Sequence, residues 1–177
     1  MLVEVRVQSL ALDRSNNTPV VILQERDGNR VLPIWIGPSE ASAIAMQLAD
    51  MEFSRPLTHD LLCSVLRGLG GTLQKVIISK VEHSTYYAEL IVHKNGEVFS
   101  LDARPSDSIA VALRVEARIF AQDDLLEEAT IEIAEDESAA ELTFDVQEPV
   151  EPRSMDPEEL KEHLRRLNPE DFGRFTP

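Results

Sequence analysis

The alternation of apolar and polar residues predicts the same set of elements twice. Residues 18–40 and residues 85–107 align without a gap, 67 positions apart, and each reads as a strand, a turn, a second strand and the start of a helix. Both segments end on proline, serine and an acidic residue. We therefore predict an internal duplication whose two copies are related by a pseudo-twofold axis.

Turn residues mark the middle of each predicted hairpin. Asp27-Gly28 and Asn95-Gly96 are dipeptides that tolerate the positive φ angles of two-residue hairpin turns. An additional alternating strand precedes each copy, at residues 3–7 and at residues 73–81. Each copy is thus predicted to be a three-stranded unit that leads into a helix.

Apolar residues at helical spacing predict three helices in this part of the chain. The first follows Pro38, the second follows Thr58 and ends near Gly70, and the third follows Pro105. Cys63 in the second helix is expected to be a buried structural thiol. The second helix also contains the apolar residues Leu61, Leu62, Val65, Leu66 and Leu69. The predicted fold class is α+β, with mixed or antiparallel sheets on which the helices pack.

The end of the chain differs in charge from the rest. Residues 1–121 carry a formal net charge of -2, whereas residues 122–177 carry -13 of the total of -15. We predict a domain over residues 1–134, followed at 135–177 by an acidic linker and a tail with a short helix. Weak alternation near residue 131 allows one or two edge strands.

The tail helix is predicted to begin at Asp156, with Pro157 at its first helical position. Its apolar stripe is narrow and consists of Leu160, Leu164 and Leu167. A free, solvated tail and a helix docked on the body or on a partner chain both agree with this pattern. A docked stripe would favour a homodimer, because such a stripe buries little surface alone.

Cysteine content and hydropathy bear on the compartment. A single cysteine cannot form an intramolecular disulfide, which fits a reducing cytosol. The chain has no apolar run of about 18 residues and is charged from its fourth residue, so neither a membrane span nor a signal peptide is expected. We therefore expect a cytoplasmic protein that has no membrane partner.

Two arginines precede predicted helix starts, in "RPLTHD" (residues 55–60) and "RPSD" (residues 104–107). Thr58 as an N-cap and acids in the first helical turn satisfy or complement the free N–H groups of a helix end. Cations beside that positive end are disfavoured, so Arg55 and Arg104 need an anion. That anion is either internal, such as Glu40 or Asp60 for Arg104, or an external phosphate.

The three helix starts are expected to lie near one another. Three positive helix ends repel unless anions lie between them, and Glu40, Asp60 and Asp107 supply these anions. His59 is either a capping or packing residue or a general acid–base. A cluster that closes on itself would be structural, whereas an open cluster would accept a ligand.

Three motifs in this order resemble the bifunctional nuclease domain family of bacteria and plants. They are "LPIWIGPSEASAIAMQL" (residues 32–48), "RPLTHDLL" (residues 55–62) and "LDARPSDSIAVALR" (residues 101–114), within a resemblance of about 130 residues. The resemblance implies hydrolysis of phosphodiester bonds in both DNA and RNA, with little sequence specificity. It also implies a homodimer.

Residue roles follow from this implied chemistry, which requires an activated water and neutralised phosphate charge. The candidate catalytic residues are Glu40, His59, Asp60 and Asp107. The candidate phosphate-binding residues are Arg55, Arg104, Thr58 and Ser106. A divalent metal ion, Mg²⁺ or Mn²⁺, would bind to Glu40, Asp102 and Asp107. The alternative is a non-enzymatic dimeric binding or regulatory module, in which these residues form a structural ion-pair network.

Overall fold

The computed structural model of the chain describes residues 1–13, 16–127 and 129. Its strands are β1 (Leu2–Asp13), β2 (Thr18–Glu25), β3 (Val31–Trp35), β4 (Thr72–Glu82), β5 (Thr85–Lys94), β6 (Glu97–Ala103) and β7 (Arg118–Gln122). Its helices are α1 (Pro38–Leu48), α2 (Thr58–Gly68) and α3 (Pro105–Val115). A further helical stretch follows β7 at residues 123–127.

The seven strands form one mixed sheet in the order β3-β2-β1-β7-β4-β5-β6. Only the pair β4–β7 is parallel, and the other neighbours are antiparallel. The strands β1 to β3 therefore lie on one side of β7, and β4 to β6 lie on the other. The predicted α+β class with a mixed sheet is confirmed.

The predicted repetition of strand, turn, strand and helix is confirmed. The bounds of α1 and α3 differ by the same 67 positions as the sequence copies, and β2 and β5 begin at the matching residues Thr18 and Thr85. The two copies occupy mirrored places in the strand order around β7. The strand β7 was not predicted from the sequence.

The two hairpins turn at the predicted dipeptides but differ in geometry. Asn95 and Gly96 have φ angles of 52° and 83°, as a two-residue turn with two positive φ angles requires. Residues 26–30 join β2 to β3, and Gly28 in this connection does not have a positive φ. The expectation of the same turn type in both copies is therefore wrong. Arg30 holds the longer connection, because its guanidinium binds the Glu25 carboxylate at 2.9 and 3.0 Å.

Substitution of alanine should have opposite effects at Gly96 and Gly68. Gly96→Ala should lower the free energy of unfolding by about 1 kcal/mol, because a Cβ is strained at a φ of 83°. Gly68 lies in α2 with no neighbouring atom within 4 Å of an added Cβ, so Gly68→Ala should raise stability by about 0.5 kcal/mol. Urea unfolding of both variants measures the difference. A Gly96→Ala variant as stable as Gly68→Ala would contradict the assigned turn.

The central helix of the fold is α3, which contacts α1, α2 and the strands β4, β5 and β7. Its residues from Ile109 to Ala112 are at most 1% exposed. They pack with sheet residues that are equally buried, including Leu23, Leu32, Val76, Ile78 and Ala88. Cys63 is 3% exposed, which confirms the predicted buried thiol. Burial raises the pKa of this thiol.

Several predictions concern residues that the structure does not describe. The tail from residue 135, its helix at Asp156, the boundary at residues 134/135 and the strands near residue 131 all lie outside the described residues. Within the described part of the chain, every helix is too short or too polar to cross a membrane.

Candidate active site

Proline begins two of the helices that build the site. Pro38 and Pro105 occupy the first turns of α1 and α3, and Gly37 and Arg104 are the N-caps. Glu40 and Asp107 therefore stand at the third helical position, as the sequence predicts. There the helix dipole favours a carboxylate.

The start of α2 differs from the prediction. Its N-cap is Leu57, and Thr58 is already the first helical residue, so the predicted cap at Thr58 is wrong. Capping depends instead on Asp60, whose Oδ2 accepts a hydrogen bond of 2.7 Å from the backbone N–H of Leu57. An acid at the third helical position reaches back to the N-cap in this way, so the threonine hydroxyl is not needed.

Four side chains from the three helix starts form a continuous chain of polar contacts. Arg104 Nη1 lies 2.8 Å from Glu40 Oε1, and Arg104 Nε donates to Asp107 Oδ2 at 2.7 Å. His59 Nε2 lies 3.2 Å from the other carboxylate oxygen, Asp107 Oδ1. The predicted mixed-charge cluster therefore forms around Arg104 and Asp107, and the internal pairing of Arg104 with Glu40 is confirmed.

This cluster is open to solvent on one side. The side chain of Arg104 is 64% exposed and that of Asp107 is 31% exposed, whereas the His59 side chain is 13% exposed. His59, Arg104 and Asp107 line a cleft of about 590 Å³ between α2 and the strands β5 and β6. The other lining side chains include Leu62, Tyr86, Tyr87, Leu90, Leu101 and Val111. The polar cluster thus lies in the wall of a largely apolar cleft.

Asp60 takes part in a separate interaction that the sequence reading missed. Arg114 of α3 donates from Nε to Asp60 Oδ1 at 2.6 Å, and its side chain is only 6% exposed. The same guanidinium donates to the carbonyl oxygens of Ala110 at 2.8 Å and Ala43 at 3.3 Å. Arg114 therefore joins α1, α2 and α3 through its contact with Asp60, the residue that follows His59. A basic residue at the end of an otherwise apolar helix was the available signal.

The remaining predicted site residues lie outside the polar cluster of Glu40, His59, Arg104 and Asp107. Arg55 is exposed, and among described residues it has no hydrogen bond or ion pair. Thr58 and Asp102 are both exposed and both line the cleft. Ser106 is 6% exposed, so its hydroxyl has little access to a ligand in solution.

The predicted metal ligands do not assemble into a metal site. Among the described residues, no three histidine, cysteine or acidic side chains are close enough together to hold an ion. Glu40 and Asp107 both direct an oxygen at the Arg104 guanidinium, which occupies the position that a cation would take. The donor set in this geometry therefore does not fit Mg²⁺ or Mn²⁺, which require several oxygen ligands.

Hydrogen bonds keep both central carboxylates ionised. Burial alone would raise the pKa of Asp107, but hydrogen bonds from Arg104 and His59 outweigh it and lower that pKa below its ordinary value. The pKa of Asp60 is lowered first by the Leu57 N–H and then by Arg114. Both groups are therefore acceptors near neutral pH.

Comparison with known proteins gives the same family as the motifs. The bifunctional nuclease domain matches residues 21–134. An uncharacterised protein of Mycobacterium tuberculosis is 43% identical over 169 residues, which are 96% of this chain and 97% of that protein. Bifunctional nuclease 1 of Arabidopsis thaliana is 28% identical over 100 residues, 54% of this chain and 31% of that protein. Bifunctional nuclease of Oryza minuta is 26% identical over 110 residues, 60% of this chain and 33% of that protein.

Proposed function

The chain belongs to the bifunctional nuclease domain family, and from this membership we propose that it hydrolyses phosphodiester bonds of DNA and RNA. The observation that supports the proposal most directly is the contact between His59 and Asp107 in the wall of the cleft, beside the exposed Arg104. A proton acceptor and a cation at one cleft are the two groups that this hydrolysis requires. The single cysteine supports a reducing, cytoplasmic setting.

His59 is proposed as the general base. An ionised carboxylate only accepts hydrogen bonds, so the Nε2 of His59 carries the proton in its contact with Asp107. The neutral imidazole then has its lone pair on Nδ1, which can take a proton from an attacking water. The water oxygen bonds to phosphorus, the bond from phosphorus to the leaving oxygen breaks, and the leaving oxygen takes a proton from solvent. Asp107 would orient the ring and stabilise the imidazolium that forms.

Arg104 is proposed to bind the phosphate group that reacts. Its guanidinium has five N–H donors, and its side chain remains 64% exposed although Glu40 and Asp107 each accept from it. Arg55 is exposed and Thr58 lines the same cleft, so both are proposed as further phosphate contacts. Glu40 would hold Arg104 in place.

Little sequence preference is expected of such a site. Contacts to phosphate carry no base information, and sequence is read through hydrogen bonds to base edges. The cleft offers mainly apolar and aromatic surface beyond the polar cluster, from side chains such as Leu62, Leu90 and Tyr86. These surfaces accept any base by contact and stacking.

The alternative function is a non-enzymatic binding module, and two observations favour it. Arg104 already faces two carboxylates, so the charge of the Glu40–Arg104–Asp107 group is balanced internally. Residues 1–121 as a whole are also nearly neutral, which is unusual for a protein that binds polyanions tightly. A structural ion-pair network would have this appearance.

A nuclease assay on purified protein separates the two functions. We expect cleavage of end-labelled single-stranded DNA and RNA, and Asp107→Asn should lower the rate by about 100-fold, because a neutral amide does not stabilise the imidazolium that forms on His59. Asp50→Asn is the matched control, since Asp50 is exposed after α1, does not line the cleft, and has a positive φ that asparagine tolerates. Parallel reactions with a chelator test whether a divalent ion is needed. Binding without cleavage by the wild-type chain would support the alternative.

A further inference from the structure

Three cations lie side by side on neighbouring strands of the sheet. Lys75 of β4 pairs in register with Arg118 of β7. On the other side of β7, Val5 pairs with Ile119, so Arg6 of β1 is the next residue toward Arg118. Arg6, Arg118 and Lys75 are called the cation row below. Like charges at neighbouring positions of a sheet repel, so the cation row lowers stability unless an anion lies against it.

The cation row projects from the face of the sheet opposite α3. Val76 and Ile119 adjoin the row along β4 and β7, are 0% and 5% exposed, and pack in the core with α3. Successive side chains of a strand point to opposite faces, so Lys75 and Arg118 point away from that core. The side chain of Arg118 is 66% exposed, and Arg6 is also exposed. The row is therefore accessible to a ligand in solution.

The cation row carries more charge than the acid beside it. The carboxylate of Glu4 lies 3.9 Å from Arg118 Nη1. Its other oxygen is already bound to Arg26, which adds a fourth cation to this surface. Among the described residues, neither Lys75 nor Arg6 takes part in an ion pair. Four cations thus face one carboxylate, on a body (residues 1–121) whose net charge is -2.

An aromatic ring lies against the cation row. The ring centroid of Phe120 is 5.4 Å from Lys75 Nζ and 5.6 Å from the guanidinium carbon of Arg118. Phe120 pairs in register with Ile77, and both are half-buried on the same face. Neighbouring strands are about 4.8 Å apart, so the row spans about 10 Å. A nucleic-acid strand with the rise of a helix carries about three phosphates over this length.

We propose that the cation row and Phe120 bind single-stranded nucleic acid. The ammonium and guanidinium groups pair with phosphates, and an unpaired base stacks on the aromatic ring. A duplex keeps its bases stacked on one another, so it would use the cations alone. The combination of cations and an accessible ring on one sheet face therefore favours a single strand.

This site is separate from the cleft. Ile91 of β5 pairs with Lys75, whereas the preceding residue, Leu90, lines the cleft. The two surfaces therefore lie on opposite faces of β5. Binding at the cation row does not require hydrolysis, so the proposal goes beyond the proposed nuclease activity.

Fluorescence anisotropy with a labelled oligothymidylate tests the charges, on the full chain carrying His59→Asn so that the strand stays intact. Lys75→Gln/Arg118→Gln should raise the dissociation constant about 10-fold. The slope of log K against log salt should fall by about 1.4, because each phosphate contact of a single strand contributes about 0.7. The control Arg67→Gln/Lys94→Gln removes the same charge from α2 and from the other face of β5, and should bind like its parent. Absence of binding, or an equal loss in both double variants, overturns the proposal.

Phe120→Leu tests the ring, because leucine keeps an apolar side chain but removes the aromatic face. The dissociation constant should rise about fivefold or more at an unchanged salt slope, since stacking releases no counterions. Phe99→Leu is the control, because Phe99 is a 42% exposed ring on β6 outside the cation row. If Phe120→Leu binds as tightly as Phe99→Leu, the assignment to a single strand is wrong.

Competitors of different chemistry test the class of ligand. A DNA duplex of the same length and a polyglutamate peptide should each displace the labelled strand at least about 10-fold less well than unlabelled oligothymidylate. Equal displacement by the duplex or by the peptide would assign the face to that ligand and overturn the proposal. Cleavage is measured separately on the chain that retains His59, so failed binding and failed hydrolysis give different results.

Discussion

Replacing His59 with asparagine should lower kcat for phosphodiester hydrolysis by about 100-fold or more, which is the usual contribution of a positioned general base. Asparagine can still donate a hydrogen bond to Asp107, 3.2 Å from the imidazole in the wild-type chain, but it cannot accept a proton. The value of KM should change little, because Arg104 remains. The rate should also become less dependent on pH, because asparagine does not titrate.

His83→Asn is the control for this substitution. His83 lies in the connection between β4 and β5, has a φ of 49° and is exposed, and asparagine is well tolerated in that conformation. Initial rates on end-labelled DNA and RNA should match those of the wild-type chain. If His59→Asn cleaves as fast as His83→Asn, the proposed base is wrong, whatever the outcome for Asp107→Asn.

Local chemistry made much of the fold predictable. Proline, serine and an acid define the starts of α1 and α3, because the free N–H groups and the dipole of a helix end act within one turn. Asn95-Gly96 likewise determines its turn locally, since both residues accept a positive φ. These features depend on near neighbours in the chain, so a single sequence is sufficient to predict them.

Features that depend on distant partners were not predictable in this way. The strand β7 has only five residues, and its central place comes from pairing with β1 on one side and β4 on the other. The partner of Arg114 is Asp60, 54 positions earlier in the chain. Periodicity shows that α2 has an apolar face, but it does not show what covers that face.

Two arginines in similar motifs make different contacts, because they lie at different distances along the chain from the helix start. In "RPSD" the arginine is itself the N-cap of α3, so Arg104 reaches Asp107 three positions later. In "RPLTHD" the N-cap is Leu57, and Arg55 lies two residues before it. The shared residue types therefore predicted that both arginines belong to the cluster. The positions of the helix starts place only Arg104 there.

Replacing Arg114 with methionine should lower the free energy of unfolding by about 2–3 kcal/mol. Removing one partner of a buried ion pair costs about 3–5 kcal/mol when the remaining charge is stranded away from water. The Asp60 side chain is 35% exposed, so water would solvate its carboxylate and reduce that cost. The carbonyl oxygens of Ala43 and Ala110 would also lose their donors. Urea unfolding near neutral pH measures the change.

Arg118→Met is the control for the loss of an arginine. Its side chain is 66% exposed and lies 3.9 Å from Glu4, so this substitution should cost at most about 1 kcal/mol. Arg114→Met should also slow hydrolysis, since Arg114 holds the α2 terminus that carries His59. Arg114→Lys should restore part of the stability, because the ammonium keeps the charge but not the three directed donors.

The stability lost through Arg114→Met should depend on pH, because the charge of the Asp60 carboxylate depends on pH. The pKa of Asp60 lies below its ordinary value of 3.8 in the folded chain, first because of the Leu57 N–H and then because of Arg114. A depressed pKa contributes stability that is complete above the unfolded pKa and is lost as pH falls through the folded pKa. Protonation thus removes the Arg114–Asp60 attraction from the wild-type chain, and the stability difference should shrink between about pH 5 and about pH 2. A difference that stays constant over this range would mean that Arg114 stabilises the chain through the carbonyls of Ala43 and Ala110 alone.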